Sequence, residues 1–286
     1  MLKKAFNFRL YYALFCFVFV LKVTCISLVE DDQEQFVILE TIPHNVDAFT
    51  QGLTFDIETA RLYESTGLYG ESDIREVDID TGNVIKVVPM ENKYFAEGMT
   101  LFKTGSGEKR LIQITWQRGE GFIYDADTLE QLDSFTYETS NGQGWGITYD
   151  AEAKEFIVSD GSSWLHYWDR DTLKEKRRKQ VVVVLAETKS RGGIPLLTSN
   201  IDKLNEMELI VEGDAKFILV NRWLTYEIYK VDINTGIVAQ IYDMTSLYPD
   251  RRTGDVMNGI SITKDEGVYL VTGKQWDAMF LIRFLV

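Results

Sequence analysis

Gly98-Met-Thr-Leu opens a short run that the chain repeats at Gly52-Leu-Thr-Phe, Gly146-Ile-Thr-Tyr, Glu206-Met-Glu-Leu and Gly259-Ile-Ser-Ile. The openings are spaced by 46, 48, 60 and 53 residues. Each alternates apolar with hydroxyl or acidic residues, the period-2 signature of a half-buried strand. A second run of the same kind follows each: Arg61–Thr66, Arg110–Trp116, Glu155–Asp160, Lys216–Asn221 and Val268–Thr272. Third strands end in a recurring turn, Asp78-Ile-Asp-Thr-Gly82, Asp125-Ala-Asp-Thr-Leu129, Asp169-Arg-Asp-Thr-Leu173 and Asp232-Ile-Asn-Thr-Gly236. Short side chains that bond the local backbone, followed by a residue that must tolerate positive φ, are hairpin chemistry. A fourth strand follows the turn, as at Val84–Val88 and Ile237–Tyr242.

Four strands per unit at a period of about fifty residues is the pattern of a β-propeller blade. The last unit stops at Phe284 after three strands, and a surplus strand lies at the other end, Phe36–Ile42. The expected fold is therefore all-β: a five-bladed β-propeller spanning 36–286 as one domain, closed by the N-terminal strand completing the last blade. Closure of this kind hides edges that would otherwise be free to pair with other chains. Lys174–Lys179, together with Arg191-Gly-Gly-Ile-Pro195, reads as a solvated loop that lengthens the third interval, and Asp250–Asp255 as a second exposed loop. No helix longer than three turns is expected.

Residues 1–27 stand apart. Lys3, Lys4 and Arg9 precede the apolar run Leu10–Leu21, and Val23-Thr24-Cys25 resembles a cleavage site. That is a secretory signal peptide, or, if uncleaved, a signal anchor; the apolar run is short for a membrane span. Its removal takes away Lys3, Lys4, Arg9 and Lys22 and no acid, moving the formal charge from −14 to −18. So acidic a body repels nucleic acid and anionic membrane. Both cysteines, Cys16 and Cys25, lie in the leader, so the mature domain is expected to hold its fold without a disulfide. The expected location is the secretory pathway or the extracellular space, with no stable membrane contact after cleavage, and the expected state is a monomer.

In a propeller, equivalent blade positions converge on one rim of the central channel. Gln51, Glu97, Trp145, Asn205 and Asn258 each fall immediately before the repeat opening. The ends of the second strands add Trp116, Asp160, Trp223, Lys274 and Trp276. An aromatic-lined mouth with few polar groups is the usual form of a small-ligand site. The chain has only His44 and His166, and its body has no cysteine, which excludes a His/Cys zinc site and leaves no rim histidine for a Ser-His-Asp triad. No nucleotide-binding glycine motif occurs. A glycosidase would need a second acid facing Glu97, for which Asp160 or Glu206 are the candidates. A non-catalytic binding propeller is the other alternative.

Eight segments then carry a resemblance. They are Ala48-Phe-Thr-Gln-Gly-Leu, Glu64-Ser-Thr-Gly-Leu-Tyr-Gly70, Tyr94-Phe-Ala-Glu-Gly-Met, Gly144-Trp-Gly, Ser159-Asp-Gly, Leu204-Asn-Glu-Met-Glu, Asp255-Val-Met-Asn-Gly-Ile and Val271-Thr-Gly-Lys-Gln-Trp276. From Thr41 to Phe284, in consistent order, the chain resembles the plant-type, non-zinc glutaminyl-peptide cyclotransferases, a family of five-bladed propellers. It departs at Ala96, where the family usually has glycine. The resemblance implies conversion of the N-terminal glutamine of peptides or proteins to pyroglutamate with release of ammonia, without metal or other cofactor. It implies Glu97 as the proton shuttle and Lys274 as a cation for the oxyanion or the carboxyl. Gln51 and Asn205 would recognise the amide, and Phe49, Trp116, Trp145 and Trp223 would form the wall, with Asn258 and Trp276 as further members of the pocket.

Overall fold

The computed structural model describes residues 34–187, 196–249 and 256–285. The leader, Arg191–Pro195 and Asp250–Asp255 lie outside the described residues. The described chain is built of strands, turns and bends, with no helix. Its first strand is β1 (Phe36–Pro43). Blade 1 then contains β2 (Thr50–Asp56), β3 (Arg61–Thr66), β4 (Asp73–Val77) and β5 (Val84–Pro89). Blade 2 contains β6 (Ala96–Lys103), β7 (Lys109–Thr115), β8 (Glu120–Asp125) and β9 (Gln131–Thr136). Blade 3 contains β10 (Ile147–Asp150), β11 (Glu155–Ser159), β12 (Trp164–Asp169) and β13 (Glu175–Gln180). After a hairpin of β14 (Val182–Glu187) and β15 (Leu196–Asn200), blade 4 contains β16 (Leu204–Glu212), β17 (Ala215–Arg222), β18 (Glu227–Asp232) and β19 (Val238–Asp243). Blade 5 is β20 (Met257–Ile262), β21 (Tyr269–Gly273), β22 (Ala278–Phe284) and β1, which pairs antiparallel with β22 from Phe36↔Phe284 to Pro43↔Ala278. The N-terminal strand thus completes the last blade.

The innermost strands touch in a closed cycle, β2 to β6 to β10 to β16 to β20 and back to β2. Glycine permits that approach: a Cβ on Gly146 would lie 2.1 Å from the Asn205 carbonyl oxygen, and one on Gly98 2.7 Å from Gly146 Cα. Apolar side chains collect between neighbouring blades. Tyr63, Ile74, Met99 and Leu111 pack between blades 1 and 2, and Phe102, Ile114, Ile147 and Phe156 between blades 2 and 3. Ile157, Tyr167, Met207 and Ile218 pack between blades 3 and 4, and Leu219, Ile228, Ile260 and Val271 between blades 4 and 5. Ile42, Leu53, Leu62, Leu270 and Met279 close the circle between blades 5 and 1.

The recurring turns share one mechanism. Asp78 Oδ1 accepts the amides of Asp80 (3.0 Å) and Thr81 (2.9 Å), and Asp125, Asp169 and Asp232 do the same two and three residues on. The residue after the threonine takes positive φ, 71° at Gly82 and 76° at Gly236 but also 55° at Leu129 and Leu173.

One expectation is corrected. Lys174–Lys179 is not a loop: Glu175–Gln180 is β13, the outer strand of blade 3, paired with β12. An outer strand has little core face, so no apolar alternation marks it. Its charges pair instead, Arg177 with Glu155 at 2.8 Å and Arg178 with Glu175 at 2.8 Å. The inserted β14–β15 hairpin, rather than a loop at Lys174, accounts for the long third interval.

Candidate active site

At one mouth of the channel a cavity of about 210 Å³ is lined by Phe49, Gln51, Phe95, Glu97, Trp116, Trp145, Asn205, Trp223 and Lys274. Its polar members are placed by irregularities in the sheets. Gln51 falls where the β2–β3 register shifts between Thr50 and Gly52. Glu97 falls in the shift between Ala96 and Met99, and Asn205 in that between Leu204 and Met207. A β-bulge inserts an extra residue and re-aims its side chain, here towards the channel mouth. The Glu97 backbone is fixed on both sides: Ser65 Oγ donates to its carbonyl at 2.5 Å, and Gly98 N donates to the Trp145 carbonyl at 2.7 Å.

The aromatic wall is held edge to face. Phe95 meets Phe49 at 6.0 Å, Trp116 at 5.6 Å and Tyr69 at 5.4 Å between ring centroids, and Trp145 meets Trp223 at 5.4 Å and 88°. Lys274 Nζ lies 4.7 Å from the Phe49 ring centroid, within cation–π range.

Within this wall Glu97 is buried, and burial pushes its pKa well above the ordinary carboxylate value although the charge of Lys274 pulls the other way. Lys274 is buried too; desolvation lowers its pKa to about 8 against the opposing pull of Glu97. Asn205 lines the cavity, and its buried Oδ1 has no hydrogen-bond partner among the described residues. The arrangement offers one acid whose proton is held more tightly than an ordinary carboxyl's, one cation, two side-chain amides and an apolar wall.

Comparison with known proteins bears on this geometry. The profile of the glutamine cyclotransferase family matches residues 16–284. A glutaminyl-peptide cyclotransferase of Arabidopsis thaliana is 33% identical over 251 residues, covering 86% of this chain and 70% of that one. The chain belongs to the glutamine cyclotransferase family. The crystal structure of a glutaminyl cyclase from Myxococcus xanthus superposes with a TM-score of 0.70 at 26% identity, covering 87% of this chain and 95% of that one. Family membership makes the chain an acyltransferase enzyme.

For this cyclotransferase the structure brings together Glu97, Lys274, Phe49, Gln51, Trp116, Trp145, Asn205 and Trp223 as one lining. Two expected members stand outside it. Trp276 is buried in the core against Tyr248 and Phe280, and its carbonyl oxygen meets His44 Nδ1 at 2.9 Å, because the chain reverses after Gly273 and carries the indole away from Lys274. Asn258 lies beneath the lining, where its Nδ2 donates to the Thr50 carbonyl (3.0 Å) and to Gln51 Oε1 (3.2 Å). It supports Gln51 rather than facing the cavity. The mouth therefore carries three of the expected tryptophans, not four.

Neither candidate second acid reaches the cavity. Asp160 accepts hydrogen bonds from Ser140 Oγ (2.8 Å), Asn141 N (2.8 Å) and Ser162, and meets His166 Nε2 at 3.1 Å. Burial opposes its ionisation, but those bonds outweigh it and hold its pKa below the ordinary carboxylate value. Glu206 occupies the channel, accepting from the amides of Leu53 (3.2 Å) and Ile260 (2.7 Å). Glu97 is the one carboxylate among the lining residues.

Sequence reasoning passed over Gln143. Its Oε1 accepts the indole N–H of both Trp116 (2.6 Å) and Trp145 (2.9 Å). The signal was a lone polar side chain between Gly142 and Gly144 at the blade 3 opening.

Proposed function

We propose that the chain converts the N-terminal glutamine of peptides or proteins to pyroglutamate and ammonia by metal-independent acid–base catalysis. The observation that carries the reading is a single buried acid, Glu97, set electrostatically against Lys274 in an aromatic cup where Asn205 Oδ1 lacks a partner among the described residues. The α-amine attacks the side-chain amide carbon of its own residue, so the two reacting groups arrive tethered and the cup has only to freeze the productive rotamer. The neutral amine forms the new C–N bond, and its proton passes to the Glu97 carboxylate. The carbonyl π electrons become an oxyanion, which Lys274 and the Gln51 amide stabilise. Glu97 then returns the proton to the departing nitrogen, the C–N bond to it breaks, and ammonia leaves. Asn205 Oδ1 accepts from the substrate carboxamide, and the ring wall excludes water from the stem.

A carboxyl that must take and return a proton works best with a pKa near the operating pH, which is the direction in which burial moves Glu97. The lining donors are one carboxylate, two amides and an amine, a set poor in zinc ligands. The basic and apolar leader supports export to the secretory pathway or beyond, and the acidic body supports a monomer free of membrane once the leader is gone. The decisive assay measures ammonia release from a Gln-initiated dipeptide in the presence of a strong chelator. Wild type is expected to be active, and Glu97→Gln to fold while losing on the order of 10²-fold or more. Full activity in Glu97→Gln would remove the shuttle, and loss of wild-type activity under chelation would remove metal independence.

A further inference from the structure

We propose that Gln143 is a positioning residue for substrate binding, setting the pitch of the Trp116 and Trp145 indoles in the wall of the cup; this rests on the reading of the cup as the glutamine site. An indole N–H can only donate, so the Gln143 atom facing both rings is its carbonyl oxygen, and one acceptor bridges two wall tryptophans from blades 2 and 3. Gln143 does not line the cavity itself.

The loop that carries it is anchored rather than free. Thr139 Oγ1 donates to the Gln143 carbonyl at 2.7 Å, and the Gln143 amide returns a bond to Thr139 Oγ1 at 3.0 Å. Its exposed tip is held by Asp160, which accepts from Ser140 Oγ and Asn141 N, while Asn141 Nδ2 donates to the Asp160 carbonyl at 3.0 Å. Asp160 is in turn backed by His166, whose Nδ1 meets Glu175 Oε2 at 2.6 Å. Hydrogen bonds therefore tie the outer strand of blade 3 to the tip of this loop, and the loop backbone carries that anchoring to Gln143 and the two indoles. The acid that sequence reasoning weighed as a second catalytic carboxylate is the foot of this bracket.

The test compares Gln143→Leu, which removes the acceptor, with Gln143→Glu, which keeps it. Turnover of a Gln-initiated dipeptide and the indole N–H resonances of Trp116 and Trp145 are the two readouts. Gln143→Leu is expected to raise KM about tenfold with kcat changed by less than about threefold. Both indole resonances should move upfield, and Gln143→Glu should restore both readouts. Placed in a Trp116→Phe/Trp145→Phe background, Gln143→Leu should add less than about twofold to KM, because the bridged groups are gone. Unmoved indole resonances, an equal KM penalty in the Phe background, or a fall in kcat with KM unchanged would each overturn the proposal. Should Gln143→Leu fail to fold, Gln143→Asn withdraws the acceptor with a smaller change and is read the same way. A wild-type protein inactive on Gln peptides would defeat the catalytic reading, while the indole resonances would still decide whether Gln143 sets the rings.

Discussion

Glu97 and Lys274 illustrate how one environment can push two charges towards neutrality at once. Desolvation is the largest influence on both, raising the acid and lowering the base, and their mutual attraction only partly opposes it. The pH dependence of activity follows by sign. Glu97 is competent as the carboxylate, so the acid limb of kcat/KM should lie above the ordinary carboxylate range. Lys274 is competent as the cation, so activity should fall as pH rises through about 8. The substrate amine becomes neutral over roughly 7.7–8.0 and would by itself raise the rate there, so a decline must come from the protein. Lys274→Arg retains a cation that does not titrate in this range. Rate profiles from about pH 5 to about pH 10 should show its alkaline limb displaced upwards, whatever the loss in absolute rate. A limb that stays near 8 in that variant would belong to another group.

At the scale of the element, turns set the blades and bulges set the chemistry. Asp232 Oδ1 takes the amides of Asn234 (2.8 Å) and Thr235 (2.9 Å), much as a helix cap takes its first amides. Asp232→Ala should therefore cost about 1 kcal/mol, read as a lower urea midpoint with an unchanged m-value and normal KM. A shifted KM would mean that the far end of blade 4 reaches the cup. These turns were legible because each needs particular residue types, and the inner strands because their alternation reflects a buried face. β13 was not legible, since an outer strand such as Glu175–Gln180 exposes most of its side chains and so carries no apolar period. Position before the repeat opening marked Gln51, Glu97 and Asn205 as a set, but not the bulges that aim them, because register is a property of the pair of strands. Trp276 was misplaced for a related reason: its spacing from Lys274 could not show that the chain turns back after Gly273, with Gln275 at a φ of 59°. Gln143 escaped because its partners, Trp116 and Trp145, meet only when blades 2 and 3 are side by side.

For the whole molecule, the ring must close, and closure has a polar clasp beneath the β1–β22 pairing. His44, next after β1, faces an acceptor at each ring nitrogen: Nε2 meets Glu64 Oε1 of blade 1 at 2.9 Å and Nδ1 meets the Trp276 carbonyl of blade 5 at 2.9 Å. Thr50 Oγ1 donates to the same Glu64 oxygen at 2.7 Å. Both side chains of the pair are 1% exposed. Burial alone would lower the His44 pKa, but the Glu64 carboxylate outweighs it and leaves the imidazole raised above 6.5. Glu64 is held below its ordinary value in spite of its own burial, chiefly by His44. The His44 contribution is thus fully present below 6.5 and lost as pH rises through its raised value, whereas that of Glu64 is present above the ordinary carboxylate value and lost as pH falls. Removing one partner strands the other charge in the interior, so His44→Leu should cost about 3 kcal/mol in urea unfolding near pH 6. His44→Leu/Glu64→Leu removes both charges and should recover much of that loss, because a buried pair exchanged for apolar groups is often close to neutral. A double variant as unstable as the single would show that the clasp stabilises through its shape and packing rather than its charge.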